Sequence, residues 1–202
     1  YVMVMSALPF LDLFEASFPT YGTTLEFIVM SWGAYFSLYA SEVMNYDEIQ
    51  SANVGGLQLY LRPFACFVFG YLADKSKSIF WIIIGFLVML VGSILFASGI
   101  IKSNLNVLFF ISLIILGIGT YAIRALYFAV LQEGQVSLAL TGTAVGLISL
   151  MGYTPDIFGG PLMGYYLDNY PGLEGHQYVF MYLVGFSVLG LLCALRFAKI
   201  VK

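Results

Sequence analysis

The sequence predicts an all-α membrane protein, a bundle of six transmembrane helices built as two inverted three-helix repeats. Its 202 residues are 61% hydrophobic and 9% charged, whereas a soluble domain carries about 25% charged residues. So few charges cannot cover a soluble surface, and we expect lipid to cover it. Backbone groups in lipid must be satisfied within their own segment, which makes the apolar runs helices. The number of these runs predicts six spans, and the placement of basic residues predicts how the spans are oriented in the membrane.

Apolar runs of roughly 20 residues are long enough to cross a bilayer, and the chain contains six of them. Residues 1–20 are apolar but interrupted by two prolines and two acidic residues. We expect them to form an interfacial or linker segment before a bundle of residues 21–202. The connections between the spans are short, which is typical of antiparallel neighbours. The predicted spans cover residues 23–44, 52–73, 79–101, 106–131, 139–167 and 178–198.

Basic residues are distributed unequally between the two sides of this bundle. The side with loop 74–78 and the C-terminal end carries five, whereas the other side carries only Lys102. Because cytoplasmic loops are enriched in Lys and Arg, the positive-inside rule places that loop and both chain ends in the cytoplasm. This pattern predicts an integral protein of the inner or plasma membrane. The five basic residues are Lys75, Lys77, Arg196, Lys199 and Lys202.

An internal similarity relates the second and fifth spans. The stretch LRPFACFVFGYLAD, residues 61–74, aligns with PDIFGGPLMGYYLD, residues 155–168, with four identities. The two spans are the middle helices of two triplets and run in opposite directions, as in the inverted repeats of many secondary transporters. The alignment places Arg62 over Asp156. At 1.5 Å per residue, both lie about 15–18 Å from the predicted outer surface, near the midplane.

Ionised side chains at the bilayer centre cost at least about 2.5–3.5 kcal/mol, so they face a cavity or a partner. Arg62 is a candidate for binding an anionic substrate, because its planar fork of donors suits a carboxylate or phosphate. A structural ion pair with Asp156 is the alternative. Asp156 is a candidate for proton coupling, for the counter-ion of Arg62, or for a polar brace where Pro155 breaks the helix. Arg124 is expected nearer the cytoplasmic face, where it would form a structural pair with Asp74 or Glu133.

Aromatic side chains of the first span, Trp32, Tyr35 and Tyr39, are candidates for lining a substrate cavity. For any one of these side chains, ordinary helix packing is the favoured explanation. The single histidine, His176, falls in a polar connection without Cys or His beside it, so no metal site is predicted. The sequence contains no phosphate-binding loop or nucleophile motif. We therefore expect no enzyme activity, no cofactor and no nucleic-acid partner.

The stretch GYLADKSKS, residues 70–78, resembles the loop signature of the major facilitator superfamily, Gly-x-Leu-x-Asp-(Arg/Lys)-x-Gly-(Arg/Lys). The segment 141–168 is similar to the eleventh helix of bacterial permeases in that superfamily. Residues 20–202 therefore look like a C-terminal half, helices seven to twelve. The signature is matched at Gly70, Leu72, Asp74 and Lys75, and Lys77 and Ser78 depart from it.

The resemblance implies alternating access, in which two six-helix halves rock around a central cavity lined here by the first and fourth spans. It implies an N-terminal half as partner and a cytoplasmic gate containing Asp74 and Lys75, with Arg124 as their partner. The expected function is symport or antiport of a small anionic solute across the bilayer. One alternative is efflux of amphipathic or cationic compounds, which Asp156 would suit. The other is a non-transporting scaffold or sensor with a closed Arg62–Asp156 pair.

Overall fold

The computed structural model describes residues 35–126, 129, 141–146 and 155–200, and every regular element in these ranges is a helix. This confirms the all-α class. The predicted N-terminal segment, residues 1–20, lies outside the described ranges. In chain order the helices are α1 (residues 35–42), α2 (Glu48–Gly56), α3 (Gln58–Lys75), α4 (Ser78–Ala97), α5 (Asn106–Leu126), α6 (residues 141–146), α7 (Pro155–Asn169) and α8 (Leu173–Ile200).

Three of the described helices are long and apolar enough to cross a membrane: Ser78–Ala97, Asn106–Leu126 and Leu173–Lys199. They coincide with the third, fourth and sixth predicted spans, which are confirmed as apolar helices of membrane-spanning length. The last of them begins five residues before the predicted start at residue 178, because Leu173 already opens the helix. The sequence prediction assigned this first turn to a connection, since it contains a glutamate, a histidine and a glutamine.

The predicted second span is divided into α2 and α3 at Leu57. Asp47 caps α2, since its side chain accepts a 2.7 Å hydrogen bond from the Gln50 backbone N–H. The helix weakens at its terminal pair of glycines, and the Leu57 N–H bonds to the Val54 carbonyl three residues back, at 3.2 Å. The break leaves α3 with 18 residues, three of them charged. For this reason α3 is not among the three apolar spans.

The fifth predicted span is described only in part, as α6 and α7. The four identities of the internal alignment nevertheless occupy similar surroundings in α3 and α7. Phe64 and Phe158 are both exposed, at 62% and 39%, and Tyr71 and Tyr165 are exposed at 55% and 59%. A Cβ added at Gly70 or at Gly164 would meet nothing within 4 Å, and Asp74 and Asp168 are both exposed.

The helices contact one another in the order α3, α5, α4, α8 and α7. Glycines allow α4 and α5 to approach closely, because a Cβ added at Gly119 would lie 2.7 Å from the Met89 backbone nitrogen. On the other side of α4, Gly190 of α8 admits the Phe86 ring. A cluster of buried rings joins α1 to these helices, with Phe96 and Phe180 stacked at 4.6 Å. The three apolar spans therefore form a fixed core, and α3 packs against its outer side.

The chain connections meet at two ends of this core. Tyr46, after α1, donates a 3.2 Å hydrogen bond to the Asn106 side chain at the start of α5. Gln177 of α8 donates to the Ala97 carbonyl at the end of α4, at 3.2 Å. We call this the acidic end, since it carries Asp47, Glu48, Asp168 and Glu174. The opposite end, which we call the basic end, carries Lys75, Lys77, Arg196 and Lys199.

Candidate substrate-binding site between α3 and α5

Arg62 lies in the second turn of α3 and is exposed. One side of this helix is apolar and aromatic. Large side chains recur at helical spacing and are more than half exposed: Tyr60 at 77%, Phe64 at 62%, Phe67 at 78% and Tyr71 at 55%. These side chains form one stripe that nothing in the described part of the chain covers, and Arg62 lies on the other side of α3, about 200° around the helix from Tyr60.

Two arginines lie within electrostatic range of Tyr121, which is buried in α5 at 1% exposure. They are Arg62 on α3 and Arg124 on α5, and the Cys66 thiol, one turn after Arg62, is also within this range. Arg124 lies half-buried, three residues after Tyr121 and thus on the same side of α5. Two neighbouring helices thus each carry one arginine within electrostatic range of the same hydroxyl.

The sequence predicted a binding role for Arg62 but did not identify Tyr121. It also treated Arg124 as a separate residue nearer the cytoplasmic face. The i, i+3 spacing of Tyr121 and Arg124 is a signal that could have identified the tyrosine, since such residues share a helix face. The contact between α3 and α5 could not be predicted from residue spacing, because the two helices are not consecutive in the chain.

The predicted gate residues Asp74 and Lys75 lie exposed at the basic end, in the last turn of α3. The Lys75 ammonium sits 4.3 Å from the centre of the Tyr71 ring, which is the distance of a cation–π contact. In the turn that follows, Ser76 has φ −152° and Lys77 has φ −67°. Neither value is left-handed, so a lysine fits where the family signature has glycine. The pairing of Asp74 with Arg124 stays a prediction.

The other predicted site residues do not join this cluster in the described structure. Tyr39 is fully buried, and its hydroxyl donates a 2.8 Å hydrogen bond to the Ile101 carbonyl. Its ring stacks on Phe109 at 5.8 Å, which favours packing over cavity lining. Tyr35 is half-buried against the same core. Trp32 and the side chain of Asp156 lie outside the described part, so the predicted Arg62–Asp156 pair stays a prediction.

The sequence analysis was wrong about the surroundings of His176. Instead of lying in a polar connection, it is fully buried in the first turn of α8, with Nε2 3.1 Å from Glu42 Oε2. Glu42 is the last helical residue of α1, 134 positions earlier. Nothing in the local sequence of either residue indicates a pairing over such a separation.

A cleft of about 390 Å³ opens at the acidic end between α2 and α5. Its lining is uncharged and combines amide side chains with aromatic rings. Leu57 belongs to this lining and precedes Arg62 by five residues, about 7.5 Å along a helix axis. The cleft thus approaches the arginine site from the acidic end. Its polar and aromatic lining residues are Tyr46, Gln50, Asn53, Asn106 and Phe110.

Two curated proteins of Escherichia coli (strain K12) are similar to this chain. Inner membrane protein YqcE is 34% identical over 85 residues, which are 42% of this chain and 20% of that protein. Inner membrane protein YihN is 36% identical over 76 residues, which are 38% of this chain and 18% of that protein. The chain therefore matches about a fifth of each relative's length. No family model matches it, and no solved structure matches it.

The relatives and the three apolar helices agree on one point. The chain is a membrane protein. Both relatives are named for the membrane in which they reside, and helices of membrane-spanning length form the core described above.

Proposed function

We propose that this chain is part of a secondary active transporter of the inner membrane that moves a small anionic solute by alternating access. The observation that carries the proposal is that Arg62 and Arg124, on two neighbouring helices, both lie within electrostatic range of Tyr121. Two like charges held around one hydroxyl create a positive potential, which an anion lowers when it binds. Guanidinium groups suit carboxylate and phosphate because they donate two parallel hydrogen bonds.

The location of the cluster favours a transported solute over a permanent structural ion. Charged residues inside membrane segments are rare and mark substrate pathways and relays. The Arg62 side chain is exposed, and Leu57, which lines the uncharged cleft between α2 and α5, precedes it by less than two helical turns. A solute entering from the acidic end would meet hydrogen-bonding amides first and the arginines next.

The proposal includes a second half of the transporter. The alignments imply that each relative is roughly twice as long as this chain, and GYLADKSKS resembles the loop signature of the major facilitator superfamily. On this basis we assign the chain to a C-terminal bundle of six spans in two inverted repeats, with α3 and α7 as the equivalent middle helices. Their matching exposed aromatics would face an N-terminal six-helix half.

The remaining predicted roles follow from the same proposal. Asp74 and Lys75 at the basic end would form the cytoplasmic gate together with Arg124. Asp156, over which Arg62 aligns in the repeat, would serve as a counter-ion or in proton coupling. The proposed mechanism uses neither a catalytic residue nor a cofactor, because the gradient of a coupling ion drives the solute through alternating access.

Solute flux into proteoliposomes tests this proposal, using the full-length protein with its proposed N-terminal half. A panel of labelled carboxylates and phosphates would be compared with cationic compounds. Arg62→Gln and Arg124→Gln should each reduce anion flux about 10-fold or more, since a charge-assisted hydrogen bond is worth about 1.5–3 kcal/mol. Arg196→Gln, at the basic end, serves as the matched control and should leave flux unchanged.

Two outcomes would contradict the proposal in different ways. Flux of cationic compounds alone, unaffected by Arg62→Gln, would favour the efflux alternative. The absence of flux for every compound, from protein that remains folded in the membrane, would favour the scaffold or sensor.

A further inference from the structure

The acidic end contains a second group of ionisable residues, the pair formed by Glu42 and His176. Glu42 ends α1 and His176 lies in the first turn of α8, so their 3.1 Å contact joins two helices that are far apart in the chain. The Tyr39 ring packs against the imidazole edge-on, with 5.0 Å between ring centres. The pair therefore lies where α1 is held against α8.

The geometry determines which proton state this arrangement accepts. His176 Nε2 faces the Glu42 carboxylate, whereas Nδ1 is buried and has no hydrogen-bond partner among the described residues. A neutral imidazole with its proton on Nε2 donates to the carboxylate and leaves only a lone pair on Nδ1. A second proton on Nδ1 would be a buried donor without an acceptor, which is unfavourable. The closed contact therefore holds the neutral ring.

The two members of the pair differ in their contact with water. The Glu42 side chain is 38% exposed, whereas His176 is 0% exposed. Protons can thus reach the carboxylate directly, but the imidazole can form a new hydrogen bond to water only if the first turn of α8 moves. The surroundings are compatible with such a movement, since this turn lies next to the chain connection at residues 170–172.

The other titratable and charged groups near His176 do not pair with its imidazole. The Tyr39 hydroxyl is bonded to the Ile101 carbonyl, and Glu174 is exposed and contacts the Tyr178 hydroxyl at 3.4 Å. Lys102 is exposed in the connection between α4 and α5. From α4 the neighbouring group is the Ala97 carbonyl, which accepts from Gln177. Among the described charged groups, Glu42 is the one whose charge acts on His176.

We propose that Glu42 and His176 form a proton-binding latch, which holds α1 against α8 when the imidazole is neutral and releases it when a proton is taken up. The proton comes from water and adds to Nδ1, where no acceptor exists in the closed contact. Closure is therefore complete above about pH 6.5, the usual pKa of a free imidazole, and is lost as the pH falls below it. This inference does not depend on transport.

Distance measurements between spin labels test the latch in nanodiscs, with protons as the only ligand. Exposed Ser41 on α1 and Met181 on α8 would be labelled through S41C and M181C, after the native cysteines are replaced (C66S, C193S). We expect one short distance at about pH 8 and a longer population that grows at least about threefold toward pH 5. His176→Gln, which cannot titrate, should abolish this response.

Glu42→Gln keeps the inference testable if His176→Gln fails to fold. Removing the carboxylate weakens the acceptor that holds the neutral imidazole in the closed contact, so the contact should open at a higher pH than in the unmodified protein. Glu174→Gln, an exposed carboxylate in the same turn, is the matched control and should behave as the unmodified protein. An unchanged or shortened distance at acidic pH would overturn the latch. So would a pH response that persists in His176→Gln, or a midpoint unaffected by Glu42→Gln.

Discussion

The two faces of α5 differ in what they pack against. Toward α4, Gly119 lets the backbones meet, and a Cβ there would collide with Met89 and Gly85. On the side of α5 that carries Tyr121 and Arg124, Arg62 of α3 lies within electrostatic range. One face is apolar and closely packed, and the other is cationic and contains a hydroxyl. Because α5 is fixed against α4 on one side, it can hold charged groups in position on the other side.

The glycine contact provides the largest expected effect on stability. Gly119→Ala should destabilise the protein by about 1–3 kcal/mol, because the added methyl group would overpack against backbone atoms that cannot rotate away. For a chain of this size the midpoint of thermal unfolding should fall by roughly 3–10 °C. Fluorescence-detected unfolding of the purified protein in detergent measures this shift.

The control for this substitution is Gly164→Ala on α7, where a Cβ would meet nothing within 4 Å. Alanine is the better helix former by about 1 kcal/mol, so this variant should be as stable as the original protein or slightly more stable. Equal losses at both positions would show that α5 is not fixed by close approach to α4.

A smaller effect is expected at the buried hydroxyl of Tyr39. Tyr39→Phe removes its 2.8 Å hydrogen bond to the Ile101 carbonyl while keeping the ring among its neighbours. Loss of one buried hydrogen bond costs about 1–2 kcal/mol, so the unfolding midpoint should fall by a few degrees, while anion flux remains. Tyr60→Phe, at a side chain 77% exposed, should have no effect on stability. Loss of flux with stability unchanged would instead indicate that Tyr39 contacts the solute.

Composition and apolar run length were sufficient to predict the all-α class and three spans, because both depend on local sequence. The division of the second span at Leu57 was harder to foresee, since the Gly55–Gly56 pair weakens a helix without specifying where it breaks. The charge of Arg62 was visible as an exception within an apolar run. Its placement, together with Arg124, within electrostatic range of Tyr121 depends on tertiary contact between α3 and α5, which no local pattern encodes.

The pair of Glu42 and His176 is a second contact that local sequence could not predict. His176 was placed in a connection because its neighbours are polar, yet three-dimensional packing buries it completely. A polar first turn is compatible with a helix start, since acidic residues such as Glu174 are favoured there. Predicting the buried position of His176 required knowledge of its partner Glu42, which is 134 positions away in the chain.

The reactivity of Cys66 tests the cationic site most directly. This thiol lies one turn after Arg62 and within electrostatic range of Tyr121, and Cys193→Ser would leave it as the native cysteine of the chain. The rates of modification by two water-soluble methanethiosulfonates would be compared, one carrying a sulfonate and the other a trimethylammonium group. We predict that the anionic reagent reacts about 10-fold faster or more, because local positive charge concentrates anions.

Arg62→Gln should remove most of this preference, and Arg196→Gln should leave it unchanged. Equal rates for the two reagents, faster reaction of the cationic reagent, or a preference that survives Arg62→Gln would contradict a cationic, water-accessible site between α3 and α5.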